Sequence, residues 1–431
     1  MPVQIQKSSR VTAGTLHGLG VLCGLAAATW LAAAEAPTKL VTVGFSPFLI
    51  SLGMVSGVFV ARWTLPTILK GTAYIFVDLR QRAHLILWAV LAGSLWAVGN
   101  TLTVFAVRDV GLSIAFPLWN INSLVGVFWG WFFFRELQGA GIGNWVKVVG
   151  GAAAILGGAV LLGYASSHET TSTARTSLLG ISFAVGAGLM FGTMYIPYRK
   201  AYLSGMNPIS FVTIFTVGEL ITMSALALTF LGGVGKVVSD LQEAKSALFW
   251  LFLGGFCWVV GDLFQNYAAK YIGIGRGVPL SNTNQLWGLA WGALVFGEFA
   301  GNGSSTRWLV LVGSVIMILG AVAISMAAAP AAEQSSTQEA IARECLRYGL
   351  NLEDAMASQR GEDIVAREAP ARRWYDGLIV IAAVAAFVWL GFLAKIPPIR
   401  ISIAWMVVLI LAMLLFLVIC GWVLWKRTGF S

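Results

Sequence analysis

Two acidic residues lie deep inside apolar stretches, where a charge is costly: Glu219 at the middle of 208–231, and Asp262 a few residues from the middle of 247–269. Helical spacing puts Trp258, Asp262, Gln265 and Asn266 on one face, a stripe with an aromatic platform, an ionisable acid and two amides. An earlier stripe reads Trp96, Asn100, Thr103, so there the acid has become an amide. A carboxylate in a membrane cavity can take up and release a proton, which makes Asp262 and Glu219 the candidate proton-coupling residues. The competing reading is a hydrogen-bonded acid that fastens helices together.

A second constellation surrounds two prolines. Pro117 and Pro279 each fall about one turn inside an apolar run, 111–134 and 274–297, where the missing amide and the ring free backbone carbonyls for other partners. Asn120, Asn122 and Ser123 follow the first; Ser281, Asn282, Thr283, Asn284 and Gln285 follow the second. These groups offer donors and acceptors to a neutral polyol, and Trp119, Trp129, Trp287 and Trp291 could stack on the C–H face of a sugar ring. The candidate substrate-binding set is Trp96, Asn100, Asn120, Asn122, Trp258, Gln265, Asn266, Asn282, Asn284 and Gln285, with Pro117 and Pro279 as helix breaks. Interhelical hydrogen bonding and interfacial tryptophan belts are the bland alternatives.

The elements that must position these residues follow from an internal duplication. Gly93–Glu136 reappears without a gap 162 residues later as Gly255–Glu298, with 16 of 44 positions identical. The chain is 58% hydrophobic and 11% charged, too apolar for a soluble core, so an all-α polytopic membrane protein is expected. Twelve spans are predicted, near 11–34, 43–63, 84–106, 111–134, 145–165, 178–198, 208–231, 247–269, 274–297, 307–327, 376–394 and 402–425. Each half holds five spans, an odd number, so the second copy enters the bilayer from the opposite side. The expected domains are a first repeat (1–165), an inverted second repeat (166–327), a polar cytoplasmic linker (328–375) and an added two-helix hairpin (376–431). Two such halves can exchange conformations and open a shared site alternately to each face. A cleaved signal peptide at the start is not expected, because the first span has a partner in the second half.

The net charge of +9 is best read through its distribution rather than as a nucleic-acid footprint. With the amino terminus cytoplasmic, inner segments hold 20 Lys and Arg, among them Arg62, Lys70, Arg199, Lys270 and Arg276, and outer segments hold 8. That bias places both termini inside, with the charges orienting the chain and binding nothing. Gly150-Gly151 and Gly157-Gly158 read as close helix packing, not a phosphate loop. Glu136 and Glu298, closing their spans, are expected to cap or pair with a neighbouring loop. Four cysteines and three scattered histidines (His17, His84, His168) imply no disulfide framework, metal site or catalytic arrangement, so neither an enzyme nor a cofactor is expected.

Trp258-Val259-Val260-Gly261-Asp262-Leu263-Phe264, Gly273, Pro279-Leu280-Ser281, Gln285-Leu286 and Val295-Phe296-Gly297-Glu298 resemble the glucose/ribose porter family of the drug/metabolite transporter superfamily. The first copy matches through Leu95-Trp96-Ala97-Val98-Gly99-Asn100, Pro117, Gly126 and Phe134-Arg135-Glu136. The resemblance covers about residues 11–327; a rhamnose-transporting sister family shares the Trp-Gly-Asn signature. It implies ten helices in two inverted five-helix halves and uptake of a monosaccharide, with protons in bacteria, across the inner (plasma) membrane by symport. Asp262 stands where relatives commonly carry an amide, Arg135 replaces a small residue, and the last hundred residues are extra. The alternatives are a permease or exporter for a ureide, nucleobase or amine and, from another class, a membrane scaffold or signalling protein. The expected partners are a small solute, membrane lipid and a coupling ion such as the proton.

Overall fold

The computed structural model of the protein describes residues 13–39, 45–110, 115, 118–166, 174–297, 304–327, 331–370, 372–395 and 401–431, and these are helical with no strand. The first half contains α1 (Ala13–Lys39), α2 (Pro47–Leu69), α3 (Thr72–Gln81), α4 (Leu85–Val110), α5 (Asn122–Phe134), α6 (Ile142–Trp145) and α7 (Gly151–Ser166). A π-helical turn, Val146–Gly150, joins the last two into one crossing. The second half contains α8 (Ala174–Leu203), α9 (Pro208–Leu231), α10 (Val234–Glu243), α11 (Leu248–Ile272), α12 (Ile274–Ser281), α13 (Asn284–Ala290) and α14 (Ser304–Ser325). Beyond it lie α15 (Ala331–Tyr348), α16 (Leu352–Gln359), α17 (Val365–Glu368), α18 (Trp374–Leu393) and α19 (Ile403–Thr428).

Ten helices among the described residues are long and apolar enough to cross a membrane, not the twelve expected. The spans expected over 111–134 and 274–297 are not continuous helices. The chain turns at Asn120–Ile121 before α5, and at Asn282–Thr283 between α12 and α13. Pro279 sits inside α12 and denies the preceding turn an amide. Pro117 and Glu298 lie outside the described residues. A second break comes at Gly273, whose φ of +83° suits glycine and lets the chain turn sharply from α11 into α12.

Equivalent helices run in opposite directions. α4 begins at the end of the bundle covered by α15, where His84 stacks on Tyr348 with ring centroids 3.8 Å apart; α11 finishes there, where Lys270 reaches Ser358. Paired glycines set the crossings. A Cβ at Gly93 of α4 would lie 2.8 Å from the Glu219 amide nitrogen of α9, and one at Gly255 of α11 would lie 2.9 Å from the Val58 amide nitrogen of α2. α7 and α14 cross in the same way, Gly151 against Gly320 and Gly158 against Gly313, whereas Gly157 faces open space. Small residues let these backbones approach closely, so close packing accounts for Gly151 and Gly158 of the two glycine pairs.

The segment after α14 is more structured than a polar linker with some helix. α15 and α16 pack across one end of the bundle, through Lys200–Glu344 (2.7 Å) and a two-pronged Arg276–Glu333 pair (2.7 and 2.8 Å). Asn351 caps α16 by accepting from the Glu353 amide. α18 and α19 remain mostly exposed on apolar faces, as helices surrounded by lipid would be.

Candidate functional site

Helix α4 carries Trp96, Asn100 and Thr103 to the centre of the bundle, and α11 carries Trp258 and Gln265 to meet them. The two tryptophans occupy equivalent positions in the duplication, and their rings touch at a centroid distance of 4.6 Å. The two breaks bring in Asn120 and Asn122 from one half, Asn282 and Asn284 from the other. Asn282 donates to Asn122 Oδ1 (2.6 Å) and Ser123 Oγ (2.5 Å), joining the halves directly. A cavity of about 90 Å³ lies between these residues, completed by Trp119, Tyr195, Met194, Phe191, Leu31 and Met54.

Among the described residues, no charged side chain lines this cavity. Its polar groups are partly committed: Tyr195 donates to Gln265 Oε1 at 3.0 Å, and Gln265 donates to Ser281 Oγ. Asn100 Nδ2, Asn120 Nδ2 and Asn284 Oδ1 are buried without a hydrogen-bond partner among the described residues. Two free donors and a free acceptor against indole faces can satisfy hydroxyl groups on a compact neutral solute.

Eight of the ten expected substrate residues converge here, and Asn266 and Gln285 do not. Asn266 is buried behind the cavity, accepting from the Tyr202 hydroxyl and donating to the Asp262 carbonyl. Helical geometry explains the split: at about 100° per residue, Gln265 returns to within about 20° of Trp258, while Asn266 sits about 80° away. Gln285 is buried next to the cavity, with its Nε2 unpartnered. Among the tryptophans only Trp119 joins Trp96 and Trp258. Trp129 donates to Thr193 Oγ1 and Trp287 packs edge-on against Phe416, while Trp291 is buried elsewhere.

Asp262 and Glu219 do not face the cavity either. Both reach Arg62, with Asp262 Oδ2 2.6 Å from Nη2 and Glu219 Oε2 3.2 Å from Nη1, and all three side chains are at most 1% exposed. Arg62 is not a topology charge at the edge of a span that stops at residue 63. α2 runs on to Leu69, so Arg62 lies inside the membrane-crossing segment. Lys270 is corrected for the same reason, since α11 extends to Ile272. The guanidinium also lies 4.1 Å from the Phe215 ring centroid and 5.0 Å from that of Trp258. Trp258 thus contacts Trp96 in the cavity and Arg62 behind it.

Glu136 caps the α11–α12 break, accepting from the Ile274 (3.1 Å) and Gly275 (2.9 Å) amides. Burial pushes its carboxyl above the ordinary range, and Arg199 and the Gly275 amide pull it back. His17 and His84 are far apart in their contacts, and no cluster of metal ligands occurs among the described residues.

Residues 178–326 match the EamA-like transporter family. A protein of Streptococcus pyogenes serotype M6 named "Putative sugar uptake protein" is 25% identical over 264 residues, covering 58% of this chain and 83% of that protein. A solved crystal structure superposes with a TM-score of 0.51 at 16% identity, over 70% of this chain and 95% of that one, which establishes a shared fold.

Proposed function

We propose that this chain is a secondary transporter of the inner membrane that moves a neutral polyhydroxy solute, a monosaccharide in the simplest case, by alternating access of its two halves. The observation that carries this reading is the uncharged cavity of amides and tryptophans at the junction of equivalent helices. The matched family and the sugar-uptake name of the streptococcal relative support it independently. Both termini are taken as cytoplasmic from the bias in Lys and Arg, which puts the α15–α16 end on that side.

Coupling is assigned to the Arg62–Asp262–Glu219 triad. Two carboxylates against one guanidinium leave a formal charge of −1, and one bound proton makes the group neutral. Trp258 connects that change to the cavity, because its ring lies against Arg62 and the Trp96 ring. A protonation that loosens Arg62 therefore alters one wall of the solute site.

The test is uptake in proteoliposomes under an imposed proton gradient. Asp262→Asn is expected to abolish gradient-driven accumulation of sugar while retaining exchange of labelled for unlabelled solute. Unchanged driven accumulation removes the coupling assignment. Competition by ureides, nucleobases or amines stronger than by sugars moves the substrate to the alternative class, and the uncharged lining disfavours the cationic members.

A further inference from the structure

At the end of the bundle covered by α15 and α16 lies a separate cavity of about 550 Å³, with a floor from α1, α8, α11 and α12 and a roof from the two linker helices. Its floor presents Arg199, Lys270 and Arg276, and Arg360 stands at its roof. Glu333 is the one carboxylate among the described residues of its lining.

Most charges at this end are matched. Arg82 holds Asp78 (2.5 Å), Lys70 holds Asp363, Lys200 holds Glu344, and Arg276 holds Glu333. Glu136 lies 3.5 Å from Arg199 Nε. Arg360 pairs with Glu362 (3.3 Å), so among the described cations lining the cavity Lys270 is the one with no carboxylate in contact: the residue is 2% exposed, and its hydrogen-bond partner is the neutral Ser358 Oγ at 3.3 Å. An ammonium has three donors, and a buried one with no carboxylate in direct contact is costly. Arg199 Nε and Arg276 Nε also make no hydrogen bond. One buried ammonium with no carboxylate in contact, flanked by two ion-paired guanidinium groups around a cavity wide enough for several heavy atoms, forms a site for an anion.

We propose that this cavity binds a phosphate group, with Lys270 as its main ionic contact, Arg199 and Arg276 supplying further donors, and Arg360 closing over it. The ligand bridges floor and roof, so its binding holds α15 and α16 against the bundle. That makes the linker a ligand-dependent cover over one mouth of the protein. The phosphate chemistry fits both a soluble phosphorylated metabolite and the headgroup of an anionic phospholipid at the membrane surface.

The experiment uses the full chain in detergent, with pyrophosphate as probe and sodium chloride at matched ionic strength as control. Thermal midpoint and hydrogen exchange over residues 331–359 are read together. Pyrophosphate is expected to raise the midpoint and slow exchange, with Lys270→Met weakening the response about tenfold. Lys270→Arg should keep most of the response. Arg360→Gln, an exposed change that leaves the fold alone, should weaken it a few-fold and keeps the test valid if the Lys270→Met protein is unstable. Native mass spectrometry separates the sources: phosphatidylglycerol retained through purification and displaced by pyrophosphate identifies a headgroup, and a pyrophosphate response with no retained lipid identifies a soluble ligand. A response equalled by chloride, or one undiminished in both Lys270→Met and Arg360→Gln, overturns the proposal.

Discussion

The two halves part at equivalent positions of α4 and α11 and of α2 and α9. Asn100 of α4 and Asp262 of α11 are equivalent positions, yet Asn100 lines the cavity with a free donor and Asp262 is buried against Arg62. In α2 and α9 the offset is 161 residues, aligning Pro47 with Pro208 and Gly57 with Gly218, so Val58 corresponds to Glu219 and Arg62 to Met223. The first half therefore contributes the guanidinium and the second contributes both carboxylates. Residues shared by the halves (Trp96 and Trp258, Asn120 and Asn282, Asn122 and Asn284) build one neutral cavity. Those that diverged build an ionic link across the halves. Symmetry provides the neutral cavity, and its breaking provides the buried ionic link behind it.

The sharpest way to break this contrast is Arg62→Met, which makes α2 resemble α9 and strands two buried carboxylates. It is expected to destabilise the protein by about 3–5 kcal/mol, seen as loss of the monodisperse peak in detergent, with Asp262→Asn and Glu219→Gln added together restoring it. No loss for the single variant would mean that the acids do not depend on Arg62.

The converse change, Asn100→Asp, makes α4 resemble α11 and puts an unpaired acid into the neutral cavity. Solute binding by isothermal titration should weaken about a hundredfold, in line with the roughly 2–3 kcal/mol expected for a desolvated charge facing neutral hydroxyls. Tighter binding of sugar would contradict the neutral lining.

Trp96→Ala and Trp258→Ala separate the two roles of the tryptophan pair. Both should weaken binding about tenfold through lost stacking area, but only Trp258→Ala should also change the pH dependence of transport, because only that ring contacts Arg62. Equal pH profiles would dissociate the triad from the cavity. The smallest effect is expected from Asn282→Ala, which removes the bridge to Asn122 and Ser123 and should cost about 1 kcal/mol in thermal stability.

Much of the cavity was legible in the chain because the duplication marks equivalent positions and polar residues within apolar runs stand out. Trp96, Trp258 and the four asparagines near the breaks needed no coordinates to be singled out. Asn266 was misplaced because a stripe at i, i+4, i+7 and i+8 spans about 100° of helix surface, wide enough to face two environments. Arg62 was missed because a lone arginine near the end of an apolar run is indistinguishable from a topology charge until the helix is known to continue.

The sequence by itself determined the membrane-crossing character, the two equivalent halves and the residue types of the cavity, because hydrophobic length and internal identity are local properties of the chain. Only the tertiary structure decided which way each polar side chain points, that Arg62 holds Asp262 and Glu219 together, and that the linker closes over Lys270. Those outcomes depend on contacts between residues 157, 200 and 88 positions apart, and no local pattern fixes which distant partner a buried charge will meet.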